Sequence, residues 1–409
     1  MTSALLAAAL LNAGCTGSGD GEPRAGSPPT TAPHGYVEGA TESAEQQSRL
    51  VLGDPATGAT RVLDLISGEV HDTGRRAGVT GLTTDGRFGY FSGADGTEVL
   101  DSGAWMVDHG DHVHYYRAKI RHVGRFPAGA GAGIRGDSGA TVVTDSAGRA
   151  KVYRRADLER GTTGAAVELP GVFAGPVVPA GEHLIALRRA DGGGTPRTVV
   201  LDRRGRLIAS PGTGCEDPRG DAVTRRGVVF GCADGAVLVA GTGTGTGTDG
   251  GYTAVRIPYG AKTPERERAG AFRYRPGSAT LTALAGKNAI LVLDVDKRTW
   301  TRVETGPVVA ANTAGAGSPL LVLRTDGALY GYDITTGRQL SATRPLLRNP
   351  SAAGAGKGPA PVIEVDRSRA YLNDPEGRRV YEIDYNDGLR IARTFDPGIR
   401  PVLMAETGR

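Results

Sequence analysis

Lysine is nearly absent from this 409-residue chain, with 6 residues against 42 arginines, and the 48 basic residues barely outnumber 44 acidic ones. A net charge of +4 spread over that length leaves no basic stripe, which argues against nucleic acid as the main partner. Long apolar runs are missing too. Residues 4–14 are mostly apolar, but a membrane-spanning helix needs about 20 such residues. Aromatic residues make up only 5% and cysteine appears three times. Glycine, by contrast, is abundant at 64 residues, and glycine breaks helices while supplying turns, so a mostly helical protein is excluded. The Arg-over-Lys skew and the plentiful Ala and Gly also carry a GC-rich coding bias, so part of that excess is not structural. At 39% hydrophobic and 22% charged, the chain can bury a core and is not broadly disordered.

The apolar segment 4–14 suits a secretory signal, and Ala13-Gly14 before Cys15 resembles a bacterial lipobox. The expected organisation is a signal and lipobox segment over 1–15, with Cys15 the lipidated residue, a disordered tether over 16–47, and a folded body over 48–409. Residues 16–33 lack hydrophobic periodicity and suit a solvated tether behind a lipid anchor. The mature protein is expected outside the cytoplasm, anchored to the cell membrane by lipid or secreted, and acting as a monomer. In that oxidising compartment Cys215 and Cys232 are expected to pair, since neither lies in a Cys-x-x-Cys motif and no His is near.

The body repeats. Short β-rich runs meet at tight turns and end near an Asp, as in Leu50-Val51-Leu52-Gly53-Asp54 and Arg61-Val62-Leu63-Asp64 or Leu320-Leu321-Val322-Leu323 and Ala328-Leu329-Tyr330. Turn glycines fall near 58, 96, 148, 193, 235, 286, 327 and 377, a mean spacing of about 46. A period of about 40–50 with several strands per unit marks β-propeller blades. The fold class is therefore all-β, a single β-propeller, counted at seven blades with eight as the alternative. Residues 48–53 are expected to close the ring beside the final strands at 379–395. Low-complexity stretches at 128–133, 241–251 and 352–358 are expected to be loops.

Chemistry concentrates in one place. Of seven histidines, four fall between His109 and His122. His112 and His114 are two apart, so on a strand they share a face, and Gly110 allows a turn that brings His109 to the same ion. Asp108 and Asp111 are candidates to ligate or to orient a ligating ring. Three imidazoles suit Zn²⁺, with copper or nickel as alternatives. His122 is a further candidate for the cluster, while His34, His71 and His183 are expected on the surface or tether. Gly136-Asp137-Ser138-Gly139 copies a serine-protease nucleophile motif, but no His in a fitting context accompanies it, so a turn is expected.

The run Asp101-Ser102-Gly103-Ala104-Trp105-Met106-Val107-Asp108-His109-Gly110-Asp111-His112-Val113-His114-Tyr115-Tyr116-Arg117-Ala118 resembles the signature of the AztD-like zinc metallochaperones. His34 to Ala40 and Phe230-Gly231-Cys232-Ala233-Asp234-Gly235 extend the resemblance over most of 34–240. It implies an exported propeller, not an enzyme, that carries Zn²⁺ through His109, His112 and His114 to the solute-binding protein of a zinc ABC importer. The chain departs from that pattern at Arg219 and ahead of Gly175, where histidine is expected. A fixed Arg beside the ion would repel it. The alternative expectation is a propeller serving as an interaction scaffold with reduced or lost metal binding.

Overall fold

The computed structural model describes residues 36–409 apart from 110–111, 191, 243–250, 261–262, 349 and 352–358. The signal segment, Cys15, His34, most of the tether, Gly110, Asp111 and most of two low-complexity stretches lie outside the described residues. The folded body is the unit Val37–Arg409. No described helix is long and apolar enough to cross a membrane.

Short, nearly continuous apolar runs decide the local structure. Runs such as Arg49–Gly53, Ala140–Thr144 and Leu320–Arg324 are rich in Val, Leu and Thr and buried along most of their length. Strands covered on both faces read this way, because each sheet packs between two neighbours. Among the described residues the strands form nine antiparallel sheets, eight of which are blades arranged in chain order. The first strands of the blades line the axis. Arg135 of blade 3 (Gly133–Gly136 first) reaches past blade 4 to Asp221 of blade 5 (Asp221–Thr224 first), with both N···O distances 2.6 Å.

The blade count is therefore eight, and the expectation of seven is corrected. Each of the eight turn glycines sits in one blade's hairpin; seven is the number of intervals between them, and a ring has as many units as turns. Seven of the eight adopt positive φ, and at the last turn Arg378 takes the left-handed conformation, φ 54°, in place of Gly377. Blade 6 (Thr280–Ala285, Ala289–Asp294, Thr299–Glu304) has three strands, with a single bridge from Arg273 to Thr282 beside them.

Ring closure is also corrected. Arg49–Gly53 pairs with Ala59–Asp64 on one side and with Leu403–Thr407 on the other, not with 379–395. The chain's last strand becomes the first strand of blade 1. Between blades the core is apolar and continuous: Leu50, Leu52 and Leu63 of blade 1 pack with Tyr371, Val380 and Phe395 of blade 8. The Cys215–Cys232 disulfide forms as expected and ties the approach to blade 5 to its second strand, Gly227–Cys232.

Candidate metal centre

The ninth sheet is an insertion. After the third strand of blade 2, Gly96–Asp101, the chain leaves the ring as a hairpin, Ala104–Asp108 and Val113–Arg117, before returning as the fourth strand, Arg121–Phe126. Gly103 at the root has φ 68°, and a Cβ there would collide with the Ala118 carbonyl oxygen, so the exit requires glycine. The strand Thr41–Ser43 pairs with the hairpin's outer edge, Glu42 opposite Tyr116. That strand falls within the segment expected to be tether, which therefore ends earlier than residue 47. A three-residue polar run carries no signal of its own and becomes a strand only beside a waiting edge.

The root is clamped. Asp64 of blade 1 accepts from Arg49 at 3.3 Å and from Arg117 at 3.1 Å. Burial alone would raise its pKa, but backbone donation from Ser67 and the charge of Arg49 hold the carboxyl below its ordinary value. Arg87, fully buried and bidentate with Asp101, lies 3.6 Å from the centroid of the Trp105 ring. Trp105 stacks on Tyr116 at 5.3 Å, and Tyr116 stacks on His114 at 6.3 Å. A column of rings thus runs from the blade core to the histidines.

At the tip, His109 donates its backbone N–H to the His112 carbonyl at 3.0 Å, drawing the two hairpin arms together. The ring centroids of His109, His112 and His114 lie 4.8–5.3 Å apart, and one ligand nitrogen from each falls within 4.8 Å of the others. Three imidazoles on one zinc ion at about 2.0–2.1 Å place their nitrogens about 3.4 Å apart, so small ring rotations close the site. His109 and His112 are exposed and His114 is half-buried, so the group lies within reach of solvent.

Sequence reasoning missed Glu42. Its Oε1 lies 2.6 Å from His114 Nδ1. An ionised carboxylate only accepts, so Nδ1 carries the proton and Nε2 keeps its lone pair for a metal. Nothing in the sequence links residues 72 positions apart; the signal is the strand pairing alone. Asp108, expected as a ligand or orienting group, pairs with Arg225 at 2.8 Å. Arg225 sits in the turn between the first two strands of blade 5, so the hairpin spans the face of the ring from blade 2 to blade 5. His122 does not join the cluster. Its Nε2 meets Glu98 at 2.5 Å on the outer strands of blade 2. His183 bonds the Tyr252 hydroxyl at 2.9 Å.

Strands alternate in direction, so the hairpin and Arg225 lie where the first strands end. Arg219 and Phe173–Gly175 precede the first strands of blades 5 and 4 and lie on the opposite face. Arg219 pairs there with Asp217 at 2.6 Å and Glu265 at 3.1 Å. The expected guanidinium beside the ion is thus corrected. Asp137, in the protease-like motif, accepts from Gly139 and Ala140 N–H groups at 2.8 Å as an ordinary turn.

These features define the class: an eight-bladed β-propeller with an imidazole triad on a hairpin laid over one face. In fold it is AztD-like. It matches the crystal structure of AztD from Citrobacter koseri with a TM-score of 0.70 at 16% identity, covering 89% of this chain and 98% of that one. The apo form of the same protein matches at TM-score 0.70 and 15% identity, covering 88% and 98%. The dihydro-heme d1 dehydrogenase NirN matches at TM-score 0.52 and 16% identity, covering 90% and 76%. A scaffold shared with a dehydrogenase does not decide function; the site must. No protein-family model matches the sequence, and no curated protein matches it.

Proposed function

We infer that this protein is an extracytoplasmic zinc carrier that binds Zn²⁺ through His109, His112 and His114 and passes it to the solute-binding protein of a zinc ABC importer. The observation that carries the reading is the convergence of three imidazole nitrogens within 4.8 Å at an exposed hairpin tip. Similarity of fold to a protein named AztD supports it. Zinc sites that keep an open position accept a fourth ligand, and the exposure of His109 and His112 supports a site that a partner's ligands can reach. Transfer would proceed by ligand exchange: the partner's ligands enter at the open side and replace the three imidazoles one at a time. The rigid ring holds the hairpin while this happens, and acid favours release because protonated imidazole has no lone pair to donate. The proposed lipid anchor at Cys15 would keep the carrier at the membrane where the importer works.

The test is a titration of metal-stripped protein with Zn²⁺ against a competing chelator, with His112→Ala and His114→Ala in parallel. Sub-micromolar binding that both substitutions abolish is expected. Absence of binding in the unaltered protein would overturn the carrier and leave an interaction scaffold.

A further inference from the structure

Away from the histidine triad, a cavity of about 780 Å³ lies between the outer strand of blade 1 and the root of the hairpin. Arg117, Lys119 and Arg121 alternate along the segment leading back into blade 2, and all three line the cavity together with Arg49. The only carboxylate in its lining among the described residues, Asp72, is already held by Arg61 at 2.8 Å. Arg49 and Arg117 share Asp64, and Arg121 reaches Asp101 at 3.3 Å. A guanidinium has five N–H donors, so these pairs leave donors to spare. Lys119 makes no ion pair among the described residues.

His71, also in the lining, has Nδ1 3.4 Å from Glu69 Oε1. Behind that wall Arg76, 8% exposed, donates to the Thr73 carbonyl at 3.2 Å and to Thr60 Oγ1; it forms no ion pair among the described residues, so its charge adds to the positive potential of the cavity.

We propose that this cavity binds a small multivalent oxyanion, a metabolite-sized molecule bearing carboxylate or phosphate groups. Ligand pockets commonly measure about 300–1,000 Å³, so the space suits more than a single inorganic ion. Carboxylate and phosphate oxygens both match forked guanidinium donors, and Lys119 supplies a further point charge. The proposal does not rest on the zinc reading, because none of His109, His112 and His114 lines the cavity.

The experiment is calorimetric titration of the full chain, freed of divalent metal so that citrate reads the cavity and not a chelated ion. Citrate, pyrophosphate and inorganic phosphate are compared at low ionic strength with sodium chloride at matched ionic strength. Saturable binding of citrate or pyrophosphate is expected, and the stronger of the two assigns the site to carboxylates or phosphates. Lys119→Glu should weaken it by about tenfold or more, equivalent to about 1.4 kcal/mol, and Lys119→Ala by less. Melting temperature and zinc binding should be unchanged in both variants. Heats no larger than those of chloride, or an affinity that Lys119→Glu leaves intact, would overturn the proposal.

Discussion

Glu42 carries more weight than its place in a three-residue strand suggests. By accepting from His114 Nδ1 at 2.6 Å it selects the tautomer and aims the ring. Removing such a partner typically costs about tenfold or more in metal affinity. Glu42→Ala should therefore weaken Zn²⁺ binding about tenfold in the chelator competition, and Glu42→Gln, which can still accept from Nδ1–H, should recover part of the loss. Equal affinity in Glu42→Ala and the unaltered protein would show that His114 needs no orienting partner. At the ring's closure, burial pushes the carboxyl of Glu406 up to about 8, with Arg409 at 2.7 Å opposing. The unfolded chain loses this proton near pH 4.3 while the native state keeps it, so native protein binds more protons between about pH 4 and 8. Stability from this group falls as pH rises through that window and levels off above it. Thermal melts of Glu406→Gln between about pH 5 and 9 should show a flatter profile than the unaltered protein; an identical slope would contradict the assignment.

The hairpin carries the three histidines, and its two ends are held by forces of different size. At the root, Asp64 and Arg49 have side chains only 3% and 4% exposed. Asp64→Asn leaves a buried guanidinium without its counter-charge and should lower unfolding free energy by about 3 kcal/mol, measured by chemical denaturation. At the tip, the Asp108–Arg225 pair has Arg225 62% exposed, and solvent screens it. Arg225→Ala should change stability by less than about 1 kcal/mol. A reversal of that order would mean the hairpin is secured from the far side of the ring.

Across the whole molecule, stability comes from closure. The last strand pairs with Arg49–Gly53, and Ser48 donates to Glu406 at 3.3 Å across 358 positions. No blade can bury both its faces without neighbours, so the ring stands or falls together. The Cys215–Cys232 link adds a local constraint on blade 5. Replacing both with Ser should cost about 3 kcal/mol in the chain-entropy account, seen as a lower denaturant midpoint. A midpoint that does not move under oxidising conditions would refute that account.

Features that depend on near neighbours were legible along the chain. Short β-rich runs of Val and Leu specified strands, glycines at hairpin turns specified the repeat, and His112-Val113-His114 placed two imidazoles on one face because side chains alternate along a strand. Even the number of blades was present in eight turns, although it took the closed ring to show that turns rather than intervals must be counted. The tertiary structure alone decided which distant groups meet. It put Glu42 on His114, turned Asp108 toward Arg225, kept His122 with Glu98, sent Arg219 to the opposite face, and drew the final strand into the first blade. The physical reason is that contacts between separate segments follow from how blades stack around an axis, and no local spacing rule encodes that geometry.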